Sequence, residues 1–292
     1  MLVGLSRAAS PENLTAVVNT GDDANLYGVH ISPDVDIVTY WLAGIADTAR
    51  GWGIRGDTFG AVEGLRSLGV DTWFGLGDRD FGTCLYRTER MHSGATLTTV
   101  TQEICTSLRV ATRVLPMTDE MVRTKIVTDD GRVLDFQEYF VKERTRPEVA
   151  EINIEAGGPR RPGPDVLAAV GDADAVVLCP SNPFLSIDPI LSLAGVRDAL
   201  RAHDNVVAVT PIVRGGALKG PADRLLKRLA GEASASAVAR YYGDLIDVFV
   251  VDASDGDEVA KVNALGLRCL ELDTIMRNHD ASELLAREIL SA

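Results

Sequence analysis

Hydrophobic residues in the C-terminal half of the chain form short continuous runs that alternate with helical patterns. Such runs, bounded by turn residues, are typical of strands buried on both faces of a parallel sheet. The predicted strands are residues 175–179, 205–213, 247–251 and 268–272, and the predicted helices include residues 223–229 and 282–290. The alternation predicts an α/β fold in which helices connect parallel strands.

The N-terminal half repeats this pattern and then departs from it. Residues 15–18 (Thr-Ala-Val-Val) predict another buried strand, which we expect to join the C-terminal strands, and residues 72–74 predict a further one. Between residues 125 and 140, alternating segments flank an Asp-Asp-Gly turn, which indicates a β-hairpin. We therefore predict a parallel α/β core made of residues 1–84 and 164–292, with an α+β subdomain, residues 85–163, inserted into it.

Charge and cysteine content narrow the function classes. Lys and Arg total 29 against 42 Asp and Glu, and the net charge of −13 disfavours nucleic acid and anionic membranes as partners. No apolar run reaches the roughly 18 residues of a membrane span, and no secretion signal is recognised. The four cysteines form no Cys-x-x-Cys pair. We expect a cytoplasmic protein without a disulfide framework.

Acidic side chains are concentrated in loops next to predicted strands and helices. Asp22 and Asp23 follow the first strand, Asp78 and Asp80 follow residues 72–74, and Asp34 and Asp36 precede a predicted helix at residues 37–45. Ligands of parallel sheets bind beyond the carboxyl ends of the strands. Clustered carboxylates there suit Mg²⁺ coordination or general-base catalysis. Alternatively, these residues only cap the segments that follow them.

Candidate anion-binding groups lie in the C-terminal half. Residues 210–221 follow a predicted strand and contain Gly215, Gly216 and Gly220, whose backbone amides could approach a phosphate, with Arg214 and Lys219 nearby. A flexible connection with two solvated basic residues is the alternative. Walker A, Gly-x-Gly-x-x-Gly, Gly-x-Ser-x-Gly and metalloprotease histidine motifs are absent from the sequence.

Six short motifs follow one another along nearly the whole chain: Asn-Thr-Gly-Asp-Asp (19–23), Ser-Pro-Asp-Val-Asp (32–36), Gly-Asp-Arg-Asp (77–80), Leu-Pro-Met-Thr-Asp (115–119), Pro-Ser-Asn-Pro (180–183) and Thr-Pro-Ile-Val (210–213). In this order and spacing they resemble the 2-phospho-L-lactate transferase family, which also includes phosphoenolpyruvate transferases of coenzyme F-420 biosynthesis. The resemblance implies a Rossmann-like core with an insertion, a homodimer and a requirement for Mg²⁺.

The resemblance also implies a reaction. Family members transfer a phospholactyl or enolpyruvyl-phosphate unit from a GDP-linked donor to the ribityl hydroxyl of 7,8-didemethyl-8-hydroxy-5-deazariboflavin, and release GMP. Carried over residue by residue, it places Asp22, Asp23 and Asp36 at the metal, with Asp23 and Asp36 as catalytic residues. The expected deazaflavin-binding residues are Asp36, Gly75, Asp78, Arg79 and Asp80. The expected nucleotide-binding residues are Ser181, Asn182, Thr210, Gly215, Gly216 and Lys219.

The N-terminus departs from the family pattern. Family members begin with a strand and a glycine-rich loop, whereas Met1 to Leu5 resemble the helix that follows that loop. We expect that the start was assigned too far downstream, and the alternative is that part of the donor site has been lost. The departure leaves a second function open, namely a nucleotide- or phosphosugar-binding regulatory protein without turnover.

Overall fold

Twelve α-helices and thirteen strands make up the fold in the computed structural model, which describes residues 1–292. The helices are α1 Leu2–Ala8, α2 Pro33–Leu42, α3 Gly60–Ser67, α4 Asp78–His92, α5 Leu97–Ser107, α6 Val166–Gly171, α7 Asp188–Leu191, α8 Val196–Arg201, α9 Ala222–Ala230, α10 Ala235–Tyr242, α11 Asp257–Asn263 and α12 His279–Leu290. The strands are β1 Thr15–Val18, β2 Ala24–Leu26, β3 Val29–Ile31, β4 Arg113–Pro116, β5 Val122–Thr128, β6 Val133–Asp135, β7 Val149–Ala156, β8 Val176–Leu178, β9 Val206–Val209, β10 Ile212–Val213, β11 Gly216–Ala217, β12 Val248–Asp252 and β13 Arg268–Leu272.

A four-stranded parallel sheet forms the C-terminal half, in the order β13-β12-β9-β8. Every residue of β9 and β12 is buried, as expected for continuous Val-rich runs with neighbours on both sides. The predicted parallel α/β class is confirmed. Edge strands β8 and β13 contain no fully buried residue, so the expectation of strands buried on both faces is wrong for these two.

The N-terminal strands differ from the sequence expectation in two respects. Strand β1 pairs in parallel with β4 in a separate two-stranded sheet, rather than with the C-terminal strands. Residues 72–74 form no strand, although they contain a β-branched and two aromatic residues. The loop at residues 75–80 therefore follows an irregular segment, and Asp78 begins α4 directly.

A three-stranded antiparallel sheet, β6-β5-β7, contains the predicted hairpin. Its second strand ends at Asp135, and residues 138–142 form a π-helical turn instead of continuing the strand. The proposed subdomain boundary at residues 84/85 falls inside α4. The division into core and inserted subdomain remains a prediction.

One hydrophobic cluster of 31 buried residues joins these sheets. It contains Ile126 and Val149 of the antiparallel sheet together with Val206 and Phe249 of the parallel sheet. The antiparallel sheet is therefore packed firmly against the parallel core, which fixes loops from both parts relative to each other. None of the helices has the length and apolar character needed to cross a membrane.

Candidate active site

The loop after β1 places Asp23 in a buried hydrogen-bond network. The loop folds as a turn in which the Asp23 amide donates to the Thr20 carbonyl. Ser32 Oγ donates to Asp23 Oδ1 at 2.7 Å, and His30 Nε2 lies 2.9 Å from Asp23 Oδ2. His30 and Ser32 reach this position because the β2–β3 hairpin folds back toward the loop. Both oxygens of Asp23 are thus oriented by neighbouring side chains.

Asp22 and Asp34 carry neighbouring carboxyl groups without a basic partner. Gln137 Nε2 donates to Asp22 Oδ2 at 3.2 Å, and Asn19 Nδ2 donates to Asp34 Oδ2 at 3.0 Å. Burial, followed by the nearby carboxylates of Asp34 and Asp23, raises the pKa of Asp22 well above its usual value. Burial likewise raises the pKa of Asp34 to about 6. No salt bridge with Lys or Arg relieves either charge.

Asp36, in the first turn of α2, is paired with Arg87 of α4. Arg87 Nη1 donates to Asp36 Oδ2 at 3.0 Å, and Arg87 Nη2 donates to Asp36 Oδ1. Both side chains are buried, Arg87 completely. Burial raises the pKa of Asp36, and the Arg87 guanidinium counteracts that rise. Asp36 therefore lies beside the other carboxylates, but its two oxygens are already engaged.

Asp80 lies close to Asp36, and with Asp22, Asp23, Asp34 and Asp36 it makes up the set of carboxyl groups called the acidic row below. Tyr40 Oη donates to Asp80 Oδ1 at 2.8 Å, and burial followed by the Asp36 charge raises the pKa of Asp80 to about 7. Asp36, Asp80 and Cys84 each place one potential ligand atom within 4.8 Å of the others. A small cavity of about 80 Å³ is lined by these three residues together with Gly75 and Trp52.

A larger cavity lies outside this row. It measures about 490 Å³ and is lined mainly by residues of α7, α8 and the segment between them, together with Ile154 and Arg160. None of the residues predicted from the sequence to form the site lines this cavity. Cavity size alone therefore does not locate the chemistry, and the acidic row is the better guide.

The remaining residues of the 75–80 loop have different surroundings. The Asp78 carboxylate accepts hydrogen bonds from Thr58 Oγ1 and from the amides of Gly60 and Ala61, so it caps the start of α3. The hydrogen bond from Thr58, followed by that from Ala61, lowers the pKa of Asp78. The Arg79 side chain is exposed. Asp80 and Gly75 line the cavity, whereas Asp78 and Arg79 do not.

The predicted nucleotide-binding residues Ser181, Asn182 and Thr210 follow the neighbouring strands β8 and β9. Asn182 Oδ1 accepts from the amides of Phe184 and Leu185, while its Nδ2 is buried without a partner. Thr210 Oγ1 is engaged with the backbone of Ile212. The loop bearing Asp22 touches the helical segment after Asn182, because a Cβ on Gly21 would lie 3.2 Å from Pro189 Cβ.

Residues 210–221 form a small hairpin rather than a plain connection. Strands β10 and β11 are joined by Arg214 and Gly215, both with positive φ, as in the tight turns that favour glycine. The Arg214 amide is held by the Asp255 carboxylate. Gly216 begins the second strand, and Lys219 extends beyond it with an exposed side chain near Gly51.

Several residues of the site were not identified from the sequence. They are His30, Ser32, Tyr40, Arg87 and Gln137, all in direct contact with a predicted acidic residue or its neighbours. Asp34 is one of the acidic residues identified from the sequence, although no specific role is predicted for it there. The only sequence signal for Arg87 is that it follows Cys84 by three residues. Residues at positions i and i+3 lie on one face of a helix, so Arg87 shares the face of Cys84.

The arrangement is a row of carboxyl groups, of which Asp22, Asp23 and Asp36 are buried and Asp34 and Asp80 are half-buried. Only Asp36 is neutralised by an arginine, and Asp23 contacts a histidine. Such a set of hard oxygen atoms can bind a divalent cation or accept a proton.

Comparisons with known proteins point to a single family. The sequence matches the family model of 2-phospho-L-lactate transferase CofD over residues 1–289. Phosphoenolpyruvate transferase of Streptomyces griseus is 40% identical over 295 residues, which cover 99% of this chain and 93% of that relative. The 2-phospho-L-lactate transferase of Methanosarcina mazei is 37% identical over 292 residues, which cover 100% and 96% respectively.

Among solved structures, protein BH3568 of Bacillus halodurans is similar with a TM-score of 0.65 and 16% identity, covering 99% of this chain and 96% of that one. At this identity the likeness concerns the fold alone. The full-length family match and the relatives at 37% and 40% identity identify the activity class, and the chain belongs to the 2-phospho-L-lactate transferase family of coenzyme F-420 biosynthesis.

Proposed function

We propose that this protein transfers a phospho-carboxylic acid unit from a GDP-linked donor to the ribityl hydroxyl of 7,8-didemethyl-8-hydroxy-5-deazariboflavin and releases GMP. The observation that carries this proposal is the acidic row, Asp34, Asp22, Asp23, Asp36 and Asp80, in a chain of this transferase family. Attack of an alcohol on a phosphorus atom between anionic groups requires charge neutralisation and alignment more than covalent help. The protein would act in the cytoplasm as a homodimer.

Mg²⁺ is the proposed cofactor, and the residues present suit it. Asp22, Asp23 and Asp34 offer hard oxygen atoms, and the raised pKa values of Asp22 and Asp34 mark uncompensated negative charge that a divalent cation would relieve. Asp36 would add its charge to the site, although Arg87 engages both of its oxygens. When bound, the ion would neutralise charge on the phosphates of the donor.

Asp23 is the proposed proton acceptor for the ribityl hydroxyl. Ser32 and His30 orient its two oxygens, and the neighbouring imidazole provides a second group that can take up charge. Asp36 and Asp80 would border the acceptor together with Gly75, since all three line the same cavity. Asp78 and Arg79 are proposed to act from the outer edge of this acceptor site.

The donor nucleotide is proposed to lie against the loops that follow β8 and β9. The unpartnered Nδ2 of Asn182 is a donor that a bound ligand could satisfy. Lys219 offers an exposed ammonium group, and Gly215 and Gly216 offer backbone amides without side chains to block them. Ser181 and Thr210 would support this surface.

The test is an assay of the purified protein with the deazaflavin and, in turn, the GDP-linked donors of phospholactate, phosphoenolpyruvate and phosphoglycerate. Mass spectrometry would follow the product and GMP. We expect product with at least one donor in Mg²⁺, none in EDTA, and recovery when Mg²⁺ is restored. Asp23→Asn should remain folded and lose turnover. Absence of GMP release with every donor, in protein that binds both GDP and the deazaflavin, would favour the regulatory alternative.

A further inference from the structure

The connection between α2 and α3 contains a loop that is ordered by its own hydrogen bonds. Ala46 and Ile54 form an antiparallel bridge and are both buried. The Asp47 amide donates to the Gly53 carbonyl, and the Asp47 carboxylate accepts from the amides of Ala49 and Arg50. The tip of this loop, residues 50–53, is therefore held in a defined position rather than left as a flexible connection.

Trp52 lies at this tip and faces the acidic row. Its neighbours Gly51 and Gly53 both have positive φ, which lets the backbone turn sharply on either side of the indole. The indole lines the small cavity together with Asp36 and Asp80, yet the residue is 44% exposed. A large aromatic side chain that is held in place and left partly exposed beside a polar cavity is suited to stacking on a ligand.

The indole has three close neighbours. The Arg50 guanidinium lies 5.7 Å from the ring centroid, and Phe59 packs edge-on. The Cη2 end of the indole lies against Gly75, where an added Cβ would lie 2.9 Å from that atom. Because Gly75 has no side chain, movement of the indole away from it would leave only the Gly75 backbone facing the ring.

We propose that Trp52 is the stacking residue for the ring system of the acceptor, which inserts between the indole and Gly75. This inference rests on the proposed function. The cavity of about 80 Å³ holds only a few water molecules. A three-ring heterocycle therefore enters only when the indole moves off Gly75 and lies on the ring. The polar edge of the ring then faces Asp80 and Tyr40, which line the cavity and share a hydrogen bond.

The experiment measures the Kd of the deazaflavin by calorimetry for the parent protein, Trp52→Ala and Trp52→Leu. Stacking of a base on an aromatic side chain is lost on alanine substitution, and the expected weakening is about fivefold or more. Trp52→Leu keeps apolar bulk without the π surface and should also bind more weakly. Trp73→Ala is the control, because Trp73 belongs to the adjoining segment but does not line the cavity. Its Kd should stay within about twofold of the parent value, as expected for a residue outside the contact.

Two results would overturn the inference, and they differ in what they say about the proposed function. If the parent protein binds the deazaflavin and Trp52→Ala and Trp52→Leu bind it equally well, Trp52 does not stack on the acceptor and the proposed function stands. If the parent protein does not bind the deazaflavin, both fail. The Kd for GDP should be unchanged in the Trp52 variants, and circular dichroism would verify that they fold. If Trp52→Ala does not fold, Trp52→Leu decides.

Discussion

The Arg87 guanidinium donates to both carboxylate oxygens of Asp36, and this ion pair joins α4 to α2 inside the site. Arg87 has no exposed side-chain surface, so neither water nor a substrate phosphate reaches it in this arrangement. Two helices that each carry an acidic residue of the row are thereby fixed relative to each other, Asp36 on α2 and Asp80 on α4. We regard Arg87 as a structural organiser of the acidic row.

Removal of Arg87 should be strongly destabilising. Arg87→Met leaves the Asp36 carboxylate buried without its partner, and breaking a buried ion pair on one side costs about 3–5 kcal/mol. Urea denaturation measures the change in the free energy of unfolding. The double variant Asp36→Leu/Arg87→Met is the control, because it removes both charges and should recover much of the loss. A single variant as stable as the parent would contradict a structural role for the pair.

The raised pKa values of Asp34 and Asp80, about 6 and about 7, make stability depend on pH. Both carboxyl groups hold a proton more tightly in the folded than in the unfolded protein, where their value is near 3.8. Their contribution to the free energy of unfolding is complete at pH values below the unfolded-state pKa. It is lost as the pH rises through the folded-state pKa values of about 6 and about 7. Asp34→Asn and Asp80→Asn should therefore gain stability relative to the parent between acidic and neutral pH.

Thermal melts of parent and variants across this pH range test the expectation.

Mg²⁺ bound to Asp22, Asp23 and Asp34 should raise the Tm of the parent more at pH 8 than at pH 5, because protons compete with the metal for the same oxygen atoms. Asp34→Asn should show a smaller Mg²⁺ effect. Parallel pH profiles for the parent and both variants would mean that neither carboxyl group is perturbed in the folded protein.

The strands and part of the acidic row could be predicted from the sequence because both depend on local patterns. Continuous apolar residues at 206–209 and 248–251 indicate strands by themselves, and Asp22 and Asp23 stand directly after one. The pairing of β1 with β4 was not predicted, since about a hundred residues separate the two strands. Arg87 was missed because a buried arginine in a helix resembles any solvated one until its partner is known.

The tight contact between Gly77 and Asp57 leads to a prediction about two glycines of the same region. The Asp57 carboxylate accepts from the amides of Arg79 and Asp80 at the start of α4, and a Cβ on Gly77 would overlap it. Gly77→Ala should lower stability by about 1–3 kcal/mol, typical of overpacking. Gly82→Ala, in the exposed interior of α4 with nothing within 4 Å of an added Cβ, should instead gain roughly 0.5–1 kcal/mol. Urea midpoints that shift equally in the two variants would rule out the contact as the cause.

Lys219 allows the proposed donor site to be tested separately from the acceptor site. Its ammonium group is exposed and lies near Gly51, at the tip of the loop that carries Trp52. A hydrogen bond to a charged group contributes about 1.5–3 kcal/mol. If Lys219 binds a donor phosphate, Lys219→Ala should therefore weaken GDP binding about tenfold or more, with little change in the Kd of the deazaflavin.

The matched control for this variant is Lys227→Ala, which removes an exposed lysine from the last turn of α9. Both substitutions change the net charge equally, so a general loss of electrostatic attraction would weaken GDP binding to the same extent in each. Calorimetry at two salt concentrations separates these two explanations. If Lys219 contacts a phosphate directly, the affinity for GDP should depend less on salt in Lys219→Ala than in the parent, and Lys227→Ala should keep the salt dependence of the parent. Equal GDP affinities for the two variants would show that Lys219 does not belong to the donor site.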